Sequence, residues 1–298
     1  MKKKTKQQGQ TKSHFDKKAI DWNLQSLGKK DIMDTIYQRS KIVIDYARQL
    51  GNIKNYLDIG CGTGQLVLAV SNYALKSYGV DFASEMIKIA DENKMKERIN
   101  NAEFVNTSIF DFLEKSKKFE LISALGFIEY ISPEELELLL QKLSKCLARK
   151  GYFIFSTRNR IYNAFSMNEF TKMEMKLGVL HDLINEAIIL GEKPLTSALE
   201  KLRNLTIKYP HPEKHPNTGV DVDLRYQYTP GELSRKLEEY NFSITELYSI
   251  NYHALPPQMK KELYDIYRKI GEEVYSRGRN NHQLIPFSSS YVVVSKQG

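Results

Sequence analysis

The chain is poor in cysteine: Cys61 and Cys146 are the only two in 298 residues. So few exclude a disulfide framework and fit a reducing, cytoplasmic setting. Neither cysteine has metal-ligating company at a useful spacing, and no metal is expected. His211 and His215 stand four apart, but Pro210, Pro212 and Pro216 rule out the helix that would align them as ligands. No apolar run approaches the roughly eighteen residues needed to span a bilayer, so no membrane insertion is expected. The opening lysines are followed by no apolar stretch, which is not the pattern of a signal peptide. No internal repeat is visible.

What is present is enough for one large domain with a sizeable insertion. Hydrophobic residues make up 41% of the chain and can fill a core, while 27% are charged. Mean hydropathy is -0.47, the value of a soluble protein. A net charge of +8 points at first to nucleic acid. Its distribution argues otherwise. Lysines 2, 3, 4, 6, 12, 17 and 18 against Asp16 place six of those charges in the first eighteen residues. Residues 1–14 read as a disordered basic tail, solvated rather than RNA- or membrane-bound.

From Phe15 the pattern becomes regular. Phe15, Ala19 and Trp22 have helical spacing, and a second helix is expected from Asp34 to Leu50, with Gly51 as its C-cap. Strands are expected at 56–59, 77–81, 103–107, 119–124 and 151–157, separated by helices from Gln65 to Ala74, from Ser84 onward and from Pro133 to Ala148. Strands alternating with helices predict an α/β fold, a doubly wound and mostly parallel sheet over 15–159. The rhythm breaks at 160–228, read as a mainly helical cap insertion. It resumes over 229–298, where Thr229 and Pro230 open a helix. Two further strands, 242–250 and 290–295, bring the expected total to seven, and Ala254 to Arg279 adds a cap helix.

The stretch Tyr56-Leu-Asp-Ile-Gly-Cys-Gly-Thr-Gly-Gln65 organises this core. A strand ends in Asp58, and Gly60, Gly62 and Gly64 follow at alternate positions before a helix, so that a ligand can lie against bare backbone. Asp81 ends the next strand, where a carboxylate reaches ribose hydroxyls. A dinucleotide fingerprint needs a third glycine where this chain has Gln65, and Asp58 would repel a diphosphate. The turn suits a nucleoside ligand with a positive end and no phosphate, as S-adenosylmethionine is.

On Asp58, the alternating glycines and Asp81, the chain resembles the class I S-adenosylmethionine-dependent methyltransferases. The resemblance covers 15–158 and the last two strands. It implies that the turn of Gly60, Cys61, Gly62 and Gly64 lies under the methionine part of S-adenosylmethionine and that Asp81 binds the ribose. It places Phe82 and Met86 at the adenine faces, Ser108 and Ile109 at the adenine edge, and Leu125 in the segment after the fourth strand. Ser108 stands where the family often has an acid, and Tyr130 where it often has a histidine. The opening Phe15-Asp16-x-x-Ala19-x-x-Trp22 is similar to small-molecule O-methyltransferases, including those of ubiquinone biosynthesis. In the latter an arginine ahead of the turn reaches the cofactor carboxylate; Arg39 matches it, or is a helix-surface arginine. Arg158–Thr171 and Tyr252–Pro257 are similar to segments of bacterial methyltransferases encoded with sugar and polysaccharide enzymes.

The expected reaction is methyl transfer to a small-molecule acceptor, a hydroxyl or amine of a sugar-like metabolite. Orientation of the acceptor in a dry site supplies most of the catalysis, and a hydroxyl acceptor also gains from a base. His253 and Tyr130 are the catalytic candidates, with Glu129 and His181 behind them. His253 reads either as a base at the carboxyl edge of the sheet or as a histidine packed under the cap. An RNA methyltransferase and a non-catalytic, cofactor-binding scaffold subunit are the alternative readings; oligomeric state is left open.

Overall fold

The structure is a computed structural model that describes residues 6–27, 31–113, 117–217 and 219–298. Its first element is unexpected. Helix α1 runs Lys6–Leu27, so residues 6–14 are helical where a disordered tail is expected; residues 1–5 lie outside the described ones. A polar helix gains its stability from tertiary packing rather than propensity. Here Phe15, Ala19 and Trp22, one face of α1, pack on Ala83, Met86 and Ile89.

Helix α2 (Thr35–Leu50) is capped by the Asp34 side chain, which accepts the Tyr37 N–H, and ends at Gly51 as expected. Strand β1 (Ile53–Ile59) leads through the glycine turn to α3 (Gln65–Val70). That helix is shorter than expected and passes into a 3-10 turn at Ser71–Tyr73. The side chains of Ser71 and Asn72 donate to the Leu68 and Ala69 carbonyls, competing with continuation of the helix. Then follow β2 (Ala74–Asp81), α4 (Ser84–Glu97), β3 (Ala102–Asn106), α5 (Ile109–Phe112) and β4 (Phe119–Ala124). Helix α6 (Pro133–Cys146) opens on a capping box of Ser132 and Glu135 with Pro133 in the first turn. It buries Leu136, Leu139, Leu140 and Leu143 against the sheet.

After β5 (Leu147–Asn159) come four short helices, α7 (Tyr162–Phe165), α8 (Glu169–Lys176), α9 (Leu180–Leu190) and α10 (Leu195–Asn204). A two-residue strand, β6 (Gln227–Tyr228), then pairs in parallel with Arg158 and Asn159 of β5. It makes the sheet eight-stranded where seven strands are expected, too short a segment to leave a period in the sequence. Helix α11 (Pro230–Glu239), with Thr229 as its N-cap, β7 (Phe242–Tyr252), α12 (Tyr264–Gly278) and β8 (Ser288–Gln297) complete the chain. The strand order is β3-β2-β1-β4-β5-β8-β7, parallel except where β8 runs antiparallel to both neighbours.

Residues 160–228 are not packed as a separate body. Ile161, Leu183, Leu199, Leu202 and Tyr228 belong to the same apolar core as Leu57 of β1 and Phe153 of β5. Arg160 and Glu174, both almost fully buried, pair at 2.9 Å, and Asn163 donates to Glu174 at 2.7 Å. Such a pair is costly to break because the surviving charge has no water.

Candidate active site

In an open α/β sheet ligands collect where two neighbouring crossovers leave in opposite directions, beyond the carboxyl ends of the strands. Here that place is between β1 and β4. Asp58 lies beside Ser123 in the β1–β4 register, and the chain then turns through residues 60–64. Gly64 has φ +86°, and a Cβ there would stand 2.5 Å from the Phe104 ring, so only glycine fits. Gly62, at φ +52°, leaves a cradle that a Cβ would enter 3.3 Å from Trp22 Nε1 and 4.0 Å from Met86 Sδ.

Two acids border this cradle. Asp81, half-buried at the tip of β2, accepts the Gly62 N–H at 3.0 Å and the Ala83 N–H at 2.9 Å, tying the turn to the start of α4. A carboxylate has about four acceptor positions, so others are left for ligand hydroxyls. Burial raises its pKa to about 6, against those backbone hydrogen bonds. Asp58 is 4% exposed and accepts the Ser123 hydroxyl at 2.5 Å, while Ser123 also hydrogen-bonds Tyr56 Oη at 2.6 Å. Burial pushes Asp58 up to about 7; the Ser123 hydrogen bond opposes that shift and nearby Asp81 adds to it. Among the described residues neither acid has a cation within ion-pair distance. One buried and one half-buried carboxylate, neither in an ion pair and only Asp58 acted on by a cation, Arg39, favour a ligand that brings positive charge. The donor set therefore fits an ammonium and sulfonium ligand better than a diphosphate.

The other expected residues take varied positions. Cys61 is buried in the turn, its thiol raised by burial, and serves as a small filler. Phe82 follows Asp81, Met86 is buried beside the Gly62 cradle, and Ile109 is buried in the main core. Ser108 is the N-cap of α5, its Oγ accepting the Phe110 N–H at 3.3 Å, so part of its hydrogen-bonding capacity is spent locally. Leu125 packs with the core below β1 and β4. Arg39 reaches from α2 to Gly126, where its Nη1 lies 2.6 Å from the position a Cβ would take. Among the described residues no carboxylate is within ion-pair distance of it, and burial lowers its pKa while Glu129 offsets part of that.

The catalytic candidates separate. Tyr130 meets the edge of Phe15 and lies under the Arg225 guanidinium, 5.2 Å from ring centroid to Cζ. Burial, followed by Glu129, pushes its pKa up to about 12, so Tyr130 is a hydrogen-bonding group rather than a base near neutrality. His253 packs in an aromatic cluster, stacked 4.7 Å on Tyr162, with Nδ1 against the Tyr267 hydroxyl. Burial drops its pKa to about 4. Its Nε2 is buried and, among the described residues, has no hydrogen-bond partner. Glu129 is paired with Arg225, and the His181 side chain is 94% exposed on α9. Ser123 and Arg225 belong to this constellation without any local signal. They meet Asp58 and Glu129 from 65 and 96 residues away.

Comparison with known proteins agrees with this geometry. A family model described as a methyltransferase domain matches residues 50–205, just over half of the chain. The ubiquinone biosynthesis O-methyltransferase of Actinobacillus pleuropneumoniae is 26% identical over 249 residues, covering 81% of this chain and 94% of that protein. A release factor glutamine methyltransferase of Fusobacterium nucleatum is 37% identical, but over 91 residues that span only a quarter of its own length. Among solved structures, an S-adenosylmethionine-dependent methyltransferase from Clostridium acetobutylicum superposes with a TM-score of 0.56 at 16% identity, covering 94% of this chain and 98% of that one. The magnesium protoporphyrin IX methyltransferase of Synechocystis, solved with the cofactor bound, gives 0.55 at 11% identity and full coverage of both. Sheet order, acid-flanked glycine turn and family match converge: the chain belongs to the methyltransferase-domain family and is a class I S-adenosylmethionine-dependent methyltransferase.

Proposed function

We propose that the enzyme methylates a hydroxyl or amine of a small, sugar-like metabolite. The observation that carries this is the roof over the cleft. Helix α1 is anchored on the cofactor side, where Asn23 accepts from Gln65 at 2.7 Å and Asn93 at 3.0 Å. It continues past Tyr130 to the cap loop, where Gln10 donates to Asp223 at 3.2 Å. A site covered on both sides suits a small acceptor and keeps water from the reacting atoms. The near full-length similarity to an enzyme named for ubiquinone biosynthesis also supports a small acceptor.

The bound cofactor supplies a methyl carbon activated by its sulfonium. In this reading Asp81 takes the ribose hydroxyls, and the turn at Gly60, Gly62 and Gly64 lets the methionine part approach the backbone. Asp58 faces its positive end and Arg39 its carboxylate. Met86, Phe82 and Ile109 flank the adenine, with Ser108 at its edge. Tyr130 and the cap hold the acceptor in line, which is the main demand of such a displacement. His253, neutral at physiological pH and with its Nε2 buried in the aromatic cluster, is in this reading packed under the cap rather than a base.

The test is release of S-adenosylhomocysteine by the purified protein across a panel of hydroxylated and aminated metabolites, with RNA as a separate arm. Turnover on metabolites is expected. Methylation of RNA alone, or cofactor binding without turnover on any arm, overturns the proposal.

A further inference from the structure

On the acceptor side of the cleft the charges do not balance. The charges of Arg39 from α2, Arg158 at the end of β5 and Arg225 just before β6 all act on the carboxylate of Glu129, which is 3% exposed, and Asp34 acts on Arg39 as well. Glu129 is already engaged by Arg225, whose guanidinium also covers the Tyr130 ring. Arg158 is half-buried, and among the described residues its guanidinium has neither an ion pair nor a hydrogen bond. Its nearest described aromatic partner is the Phe170 ring, 5.9 Å away. Burial and then the neighbouring Arg225 work against its charge, and Glu129 offsets only part of that from beyond ion-pair distance. The same field is felt by His215, pushed down to about 4 by burial and then by Arg158, Arg160 and Arg225. A guanidinium partly withdrawn from water without an ion-pair partner is costly, and its planar fork matches carboxylate and phosphate oxygens. With Arg39 assigned to the cofactor carboxylate, Arg158 is the cation left over.

We propose that the methyl acceptor is an anion whose carboxylate or phosphate is bound by Arg158, with Arg225 alongside, where the end of β5 meets the cap. This rests on the small-molecule reading above and narrows it to acidic acceptors. Arg158 is then a specificity-determining residue. It sits at the carboxyl end of β5, its charge acting on Tyr130 and Glu129, and anchors the acceptor by the end remote from the methylated atom.

The experiment titrates the protein, saturated with S-adenosylhomocysteine, with glucose, glucuronate and glucose 6-phosphate in a calorimeter. The expected result is binding of glucuronate or glucose 6-phosphate, whichever carries the matching anion, at least tenfold tighter than glucose. Arg158→Gln should remove that preference while leaving the affinity for S-adenosylhomocysteine unchanged, and Arg158→Lys should retain part of it. Equal affinity for glucose and both anions, no anion binding up to about ten millimolar, or an Arg158→Gln variant with the anion preference intact overturns the proposal. Failure of the protein to bind S-adenosylhomocysteine at all would instead count against the cofactor assignment on which both readings stand.

Discussion

The two acids of the proposed cofactor site should make cofactor affinity depend on pH in a direction that follows from their burial. Without a ligand, Asp58 is raised to about 7 and Asp81 to about 6, both chiefly by burial. A cationic ligand binds the ionised forms, so affinity falls as pH drops through these values and protons must be displaced on binding. From pH 7.5 to 5.5 the ionised fraction of a group at 7 falls roughly 25-fold, and that of a group at 6 about fourfold. Together the affinity for S-adenosylmethionine should weaken by roughly 100-fold, or about 2.7 kcal/mol. Calorimetry in buffers of different ionisation enthalpy reads both the affinity and the proton release. Asp58→Asn, which keeps an oxygen for the Ser123 hydroxyl, should reduce the pH effect to the Asp81 share. An affinity that is flat between pH 7.5 and 5.5 in the native protein would refute the argument that these carboxylates are without an ion-pair partner. The same shifts bear on stability without ligand. Each acid is raised above its unfolded value, so its contribution to stability is full below about pH 4 and is lost as pH rises through 6 and 7.

Replacing Asp81 by alanine should weaken S-adenosylmethionine binding at least several-fold, because both the ribose acceptor and the anchor on the Gly62 N–H are lost; unchanged affinity in calorimetry would remove Asp81 from that role. Gly64→Ala forces a Cβ into a left-handed backbone and against Phe104, which should destabilise the fold by about 3 kcal/mol in urea unfolding. Glu174→Ala leaves Arg160 charged in the core and should cost about 3–5 kcal/mol; a loss below about 1 kcal/mol would mean that water reaches the pair. Trp22→Ala should loosen α1 over the Gly62 cradle and speed cofactor release in stopped-flow, while thermal unfolding changes little.

The geometry of the proposed cofactor half of the site is legible in the sequence because its parts are near one another along the chain. Asp58, the glycine turn and Asp81 fall within 24 consecutive residues, and one strand–turn–helix–strand unit places them all. Helix caps such as Ser132-Pro133 and Thr229-Pro230 are likewise written in a few residues each. What escapes is carried by contacts across the fold. Nothing local marks α1 as ordered before Phe15; its face on α4 and its hydrogen bonds to the cap hold it. The strand Gln227–Tyr228 is too short to show a period. Tyr130 looks like a replacement for a catalytic base until its burial beside Glu129 and Arg225 is seen.

The sequence by itself determined the fold class, the acid-flanked glycine turn and the reaction, since each depends on short stretches whose backbone conformation and charge are set locally. Only the tertiary structure decided the charge balance of that turn and of the acceptor side. Asp58 meets Ser123, Glu129 meets Arg225 and, among the described residues, Arg158 has no ion-pair partner, because strands and cap bring together residues separated by tens of positions. Burial, which sets the strength of every one of those charges, is a property of the packed molecule and not of any segment in it.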